Sequence, residues 1–267
     1  MFLPVRTAPL HRTRWLLLAA VLAATPVLAK KAAPGIAQMQ QAQQLVVVTT
    51  SGWDDNQGHL QTYVRDGQGW KPAAQAFAVA IGKSGSAWGE GLFPPQKAGP
   101  QKQEGDGRSP AGIYGIGEAF GYAPTARTKL DYHQMQASSW CIDVPGSPFY
   151  NQIVDEKDVG ALGVEGASEH MRLDLHNNGD VRYKQGFVIA HNAKATPGRG
   201  SCIFAHLWRT PGEPTAGCTA MEPANMEALQ AWLDPKKQPL FVLLPKAEYI
   251  RLQHAWSLPL LTAGLAR

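Results

Sequence analysis

Cysteine is scarce: three residues, Cys141, Cys202 and Cys218, in a chain of 267. Charge is scarce as well, at 17% Asp, Glu, Lys and Arg, and no block of Lys and Arg interleaved with aromatics occurs, which argues against a nucleic-acid partner. No H-E-x-x-H is present, so the commonest zinc-peptidase signature is missing. Internal repeats are absent, and no composition break calls for a second domain.

Apolar runs are short. The longest opens the chain, from Trp15 to Ala24, after Arg6, His11, Arg12 and Arg14 and before "TPVLAKK". A basic start, a brief apolar stretch and the small-residue end Val27-Leu28-Ala29 predict a secretory signal over residues 1–29, cleaved after Ala29; Pro26 follows too soon for a comfortable bilayer span. Three of the 25 basic residues and none of the 21 acidic ones fall in that leader, so the formal charge drops from +4 to +1. No stable membrane span is expected after cleavage, and export makes the periplasm the expected location. There thiols tend to pair, and an odd count leaves one over.

Residues 30–44, rich in Ala and Gln, read as a tether or short leading helix. With 27 glycines and 20 prolines between short apolar runs, residues 45–247 read as one β-dominated domain. "QLVVVTT" predicts a strand, and the alternation of Leu60, Thr62 and Val64 predicts antiparallel hairpins. The loop through residue 108 is expected to feed a short strand, and residues 123–167 an irregular insertion. "MRLDLHNNGDVRY" alternates and turns at Asn177-Asn178-Gly179-Asp180, predicting a hairpin into "GFVIAHN". "SCIFAHLW" reads as a buried strand, "PANMEALQAWL" as an amphipathic helix, "PLFVLLP" as the last strand, and residues 248–267 as a packing helix or tail.

One stretch carries candidate chemistry: "GSCIFAHLWRTPGEPTAGCTAM", residues 200–221. A cysteine attacks carbonyls as thiolate and, with a free pKa of about 8.5, needs a base or dipole to ionise at neutral pH. Gly217 before Cys218 would let the backbone turn and present N–H groups to a substrate oxygen. Alternation places Cys202, Phe204 and His206 on one strand side, where His206 could take the Cys218 proton and return one to a leaving amine. The plainer alternative is a buried thiol behind a glycine and a hydrogen-bonded core histidine.

Several motifs in order, "EGDGRSPAGIYGIG", "IFAH" and "TAGCTAM" followed by a helix and "PLFVLLP", resemble the catalytic domain of the L,D-transpeptidases. "WCIDVPGSPFYNQIV" and "GFVIAHN" are similar to its secreted proteobacterial subgroup. The resemblance runs from about Leu45 to Pro245. It implies a YkuD-like β-sandwich or barrel of mixed sheets, mostly β with minor α, with a helix after the catalytic Cys. It also implies attack by Cys218 on a peptidoglycan stem tetrapeptide, release of the terminal D-alanine, and an acyl-enzyme resolved by an amine of another stem or by water. His206 would be the proton carrier, and the backbone of Gly217 and Cys218 the oxyanion site. No metal or organic cofactor is implied, and carbapenem-type β-lactams would label Cys218. The chain departs from the usual family motif at Ala216, where a second histidine stands, and at Thr219-Ala220-Met221, where an Asn or Arg is usual.

Among substrate contacts, Arg209 or Arg199 could grip a stem carboxylate, Trp208 could wall a cleft, and Thr219 adjoins the nucleophile. Each is otherwise a surface or packing residue. A zinc-dependent peptidoglycan peptidase using His170, Asp174, His176 and His191, and a non-catalytic wall-binding protein of the same fold, are the alternatives. A Cys141–Cys202 disulfide would leave Cys218 free; its alternative is two buried, reduced thiols.

Overall fold

A computed structural model describes residues 1–4, 35–67 and 69–261. The chain divides into two units, residues 1–31 and 32–267, and the fold described below belongs to the second. The expected signal segment lies, beyond its first four residues, outside the described residues. No described helix is long and apolar enough to cross a membrane.

After a one-turn-and-a-half helix α1 (Ile36–Gln41), strand β1 (Gln44–Thr50) is buried at every position. The cause is its neighbours: it pairs antiparallel with β2 (Gln57–Asp66) and parallel with the last strand, so the β-branched run "VVV" has no solvent face. β3 (Gly69–Pro72) and β4 (Phe77–Ala80) both pair with β2. β5 (Ser86–Trp88) precedes the glycine- and proline-rich loop, which feeds β6 (Ser109–Gly121), a strand of 13 residues rather than the short one expected.

Within the insertion lie β7 (Tyr132–Gln134), β8 (Ser139–Cys141), β9 (Ile153–Asp155), α2 (Glu156–Val159) and β10 (Glu169–His170); β8, β9 and β10 form a separate three-stranded sheet. The expected hairpin over residues 171–183 is absent. Leu173–His176 is instead a single helical turn, α3, and Arg182–Lys184 a 3-10 turn. Local polar bonds outcompete a two-residue period here: Arg172 grips Asp174 through two contacts of 2.8 Å, and Asn177 Nδ2 donates to Asp180 (3.0 Å).

β11 (Gln185–Ile189), β12 (Phe204–Leu207), β13 (Thr219–Met221), α4 (Pro223–Trp232), β14 (Leu240–Pro245) and α5 (Lys246–Leu252) complete the domain. The large sheet runs β1-β14-β6-β11-β12-β13-β4-β2, and β2 pairs back with β1, so the sheet closes on itself. Closure removes the open edges that a sheet of this length would expose. β1–β2 and β2–β4 pair antiparallel, as the alternation suggests, whereas β1–β14 and β12–β13 are parallel, pairings on which the sequence pattern carries no expectation. Strand pattern reports burial, not direction, which is why sequence periodicity misses this.

The main core fills the barrel with Val46, Val48, Ile113, Phe187, Val242 and their neighbours. A second apolar cluster, including Phe120, Met135, Met171, Tyr183, Phe204 and Cys218, joins the barrel wall to the insertion. The segment of interest sits in that second cluster.

Candidate active site

β12 carries His206 and runs parallel to β13, with His206 opposite Ala220 and Ala205 opposite Thr219. Extended one residue back, this register puts Cys218 opposite Phe204. Side chains alternate along strands, so Phe204, His206, Cys218 and Ala220 share a face. The strand spacing and rise then set the Cα atoms of His206 and Cys218 about 8 Å apart, a diagonal that two side chains can close. Cys202 is not in this strand. Its φ of 54° places it in the left-handed region just before β12, so the expected Cys202–Phe204–His206 alternation begins only at Phe204.

The connection between the two strands is clamped. Cys218 O accepts from Thr215 Oγ1 (2.7 Å) and Ser109 Oγ (3.0 Å), while Thr215 Oγ1 also accepts from Gly217 N–H (3.1 Å). Ser109 Oγ in turn accepts from Gly82 N–H (2.9 Å). Neither hydroxyl was singled out from sequence, although Ser109 stands inside the "EGDGRSPAG" stretch that carried the resemblance. With its carbonyl held and Gly217 N–H engaged, Cys218 N–H faces no acceptor among the described residues. It is a backbone donor left without an internal partner.

Gly217 does not serve the sharp turn expected of it. Its φ is not left-handed; a Cβ there would meet Arg108 O at 3.1 Å and Ile203 Cδ1 at 3.3 Å. The close approach of the segment to Arg108, not a special turn, is what makes a side chain a tight fit here.

The Cys218 sulfur accepts from Phe204 N–H (3.3 Å) and its thiol donates to Cys202 O (3.4 Å). Cys218 is 7% exposed and His206 3%, and both line one cavity of about 400 Å³. His206 Nδ1 lies 2.7 Å from Leu207 O. A carbonyl only accepts, so Nδ1 carries the proton and Nε2 keeps its lone pair. Tyr183 meets the imidazole edge to face, with ring centroids 5.1 Å apart.

Burial pushes His206 down to about 4. Burial first, then the nearby Glu169 carboxylate, pushes the Cys218 thiol up to about 12. Both shifts have the sign expected for groups that lose solvation when charged. The resting pair is thus neutral thiol and neutral imidazole with a free acceptor nitrogen. Such a pair can act only if a bound group stabilises the charges that a proton transfer creates.

Cys141 and Cys202 are joined in a disulfide, with Cα atoms 5.9 Å apart, and Cys218 is the free thiol. The bridge ties β8 of the insertion to the residue whose carbonyl holds the Cys218 thiol. Asn151 reinforces it, accepting from Cys202 N–H (2.9 Å) and donating to the carbonyls of His191 (2.9 Å) and Asn192 (3.0 Å).

Other sequence candidates sit elsewhere. Arg209 is exposed and paired with Glu213 in the turn between β12 and β13, Trp208 is half-buried, and Thr219 is buried in β13; none of the three lines the cavity. Arg199 pairs with Glu90 (2.9 Å). The guanidinium at the cavity belongs to Arg182, which neither charge nor spacing had suggested. His170, Asp174, His176 and His191 do not converge. His170 and His176 stack at 3.8 Å, Asp174 is held by Arg172, and buried His191 bonds to Arg199 O (2.9 Å). Among the described residues no group of three or more His, Cys, Asp or Glu is placed to hold a metal ion.

A sequence model of the L,D-transpeptidase catalytic domain family (YkuD) matches residues 49–242. The match runs from the end of β1 into β14 and so spans the barrel, the insertion and the cavity. No curated protein and no solved structure gives a significant match.

Proposed function

The chain belongs to the L,D-transpeptidase catalytic domain family, and we propose that it is itself a cysteine acyltransferase acting on peptidoglycan stem peptides, with Cys218 as nucleophile and His206 as proton carrier. The observation that carries the reading is that a free thiol and an imidazole with an open Nε2 lie on one strand face and line one cavity. In this reading the thiol proton passes to His206 Nε2 as sulfur attacks the stem carbonyl. The oxygen that becomes negative is met by Cys218 N–H. His206 then gives its proton to the leaving amine of D-alanine, and a thioester remains on Cys218. An incoming amine or water, deprotonated by the same Nε2, resolves it, giving a cross-link, an exchanged stem or a shortened one.

Export to the periplasm belongs to the same proposal, supported by the basic-then-apolar start of the sequence and by the Cys141–Cys202 bridge. One observation favours a second reading, a wall-binding protein with an idle thiol: the Cys218 thiol donates to Cys202 O rather than to His206.

A single experiment separates the two. Tetrapeptide-rich sacculi incubated with the protein are digested and their muropeptides resolved, with Cys218→Ala as control. New dimers, exchanged stems or shortened stems that vanish with Cys218→Ala support the enzyme. Unaltered muropeptides from the wild-type protein, with binding retained, leave only the wall-binding reading.

A further inference from the structure

The cavity that Cys218 lines also holds a carboxylate, Glu169, that the acyl-transfer steps leave unused. Glu169, on β10, lies in register with Cys141, whose disulfide partner Cys202 supplies the carbonyl that takes the Cys218 thiol. Glu169 Oε1 accepts from Tyr183 O–H at 2.5 Å, and the same Tyr183 ring rests against His206. Oε2 meets no partner among the described residues. Glu169 therefore lines the cavity half-buried, with one oxygen fixed and one open.

The cations around it are already matched. Arg182 pairs with Asp180 (2.6 Å) and Lys102 with Asp106 (2.5 Å). The other lining carboxylates, Glu104 and Asp143, take hydroxyl and amide donors only: Tyr150 and Ser201 for the first, Ser168 for the second. The charge left without a counterion thus lies on the acidic side. It raises the thiol against ionisation, and burial leaves Glu169 itself raised. An anionic ligand would worsen both conditions and a neutral one would leave them. An ammonium group would relieve both, in a cavity shielded enough for the attraction to exceed its value in water.

We propose that Glu169 is the specificity-determining residue of this cavity, holding a side-chain ammonium of the acyl donor beside Cys218, so that donors with a free amine are selected. This deepens the acyltransferase reading and rests on Cys218 being the nucleophile. Tyr183 acts as the positioning residue, since it fixes the carboxylate and touches the imidazole. The charged and titratable groups facing Glu169 are Tyr183 and Arg182 from the 3-10 turn, Asp180 before it, Asp143 after β8, and Cys218.

The test needs no turnover. Binding to full-length Cys218→Ala protein is measured for a stem tetrapeptide with lysine at its third position and for the same peptide acetylated on that amine. The free amine is expected to bind about tenfold tighter. Adding Glu169→Gln should bring the two within about twofold of one another, and Glu169→Asp should restore part of the preference. In protein that keeps Cys218, Glu169→Gln should move the pH profile of iodoacetamide labelling down by about one unit, or about tenfold in rate at a fixed pH. Equal binding of the two peptides to Cys218→Ala protein, or no binding of either, overturns the proposal even if the Glu169 variants fail to fold. So does a preference that survives Glu169→Gln. Failure of the acyltransferase reading shows separately, as no product from wild-type protein with either peptide.

Discussion

Reducing the Cys141–Cys202 bridge should cost the protein a large part of its stability without substituting a single residue. The linked residues are 61 apart in sequence. On the chain-entropy account, a closed loop of that length restrains the unfolded ensemble by about 4 kcal/mol at 25 °C. That compares with a total of about 5–15 kcal/mol for ordinary domains. Urea unfolding of the same protein with and without a thiol reductant isolates the cross-link, and extrapolated free energies should differ by about that amount, with a larger slope when reduced because the freed chain exposes more surface. Alkylation in denaturant supplies the internal check: one labelled thiol, Cys218, without reductant and three with it. Because Cys202 O holds the Cys218 thiol, reduction should also speed labelling of Cys218 in the folded protein. Coincident unfolding curves would refute the entropic argument, and three labelled thiols without reductant would refute the bridge itself.

Thr215→Val removes the shorter of the two bonds to Cys218 O and leaves Gly217 N–H without its acceptor, so turnover in the sacculus assay should fall about tenfold or more, with loss of stability of about 1–3 kcal/mol; unchanged turnover would show that the clamp is dispensable. Arg209→Ala should leave turnover within about twofold, since the side chain is exposed and paired outside the cavity, and a larger loss would place the substrate along the β12–β13 turn. Acid should destabilise the fold through its buried imidazoles. His206 and His191 are both pushed down to about 4, against 6.5 unfolded, so the unfolded chain binds more protons over that interval. Their contribution is complete above pH 6.5 and is lost as pH falls through 4, about 3 kcal/mol for each histidine. Urea midpoints measured from pH 7 to 4 test this, and a flat profile would contradict the buried neutral rings.

The strands were legible where burial leaves a compositional trace. "QLVVVTT" and "PLFVLLP" are saturated with apolar and β-branched residues because β1 and β14 lie side by side in the closed sheet, and the run "PANMEALQAWL" buries Met226 and Leu229 as its spacing suggests. Strand direction left no such trace, so the parallel pairing of β12 with β13 was invisible, although it is what sets Cys218 and His206 on one face. Residues 171–183 show the opposite failure: the alternation was present, but Arg172–Asp174 and Asn177–Asp180 bonds are satisfied within a few residues and fold the segment into turns. The thiol and imidazole could be singled out because their chemistry is rare, whereas Ser109, Thr215, Tyr183 and Glu169 are common residues whose roles exist only through contacts across the chain. Their absence from a reading of spacing has a physical cause. A cavity assembled from a barrel wall and a disulfide-tied insertion draws its polar groups from segments more than 100 residues apart, as the Ser109–Cys218 bond does. Ala216 belongs to the same argument. Where the family motif usually has a second histidine the chain presents a methyl group to the cavity, and polar groups reach that cavity from β10, through Glu169, and from the 3-10 turn, through Arg182 and Tyr183. On the proposed acyltransferase reading, substrate selection should accordingly follow changes in β10 and the 3-10 turn more closely than changes in the residues that flank Cys218.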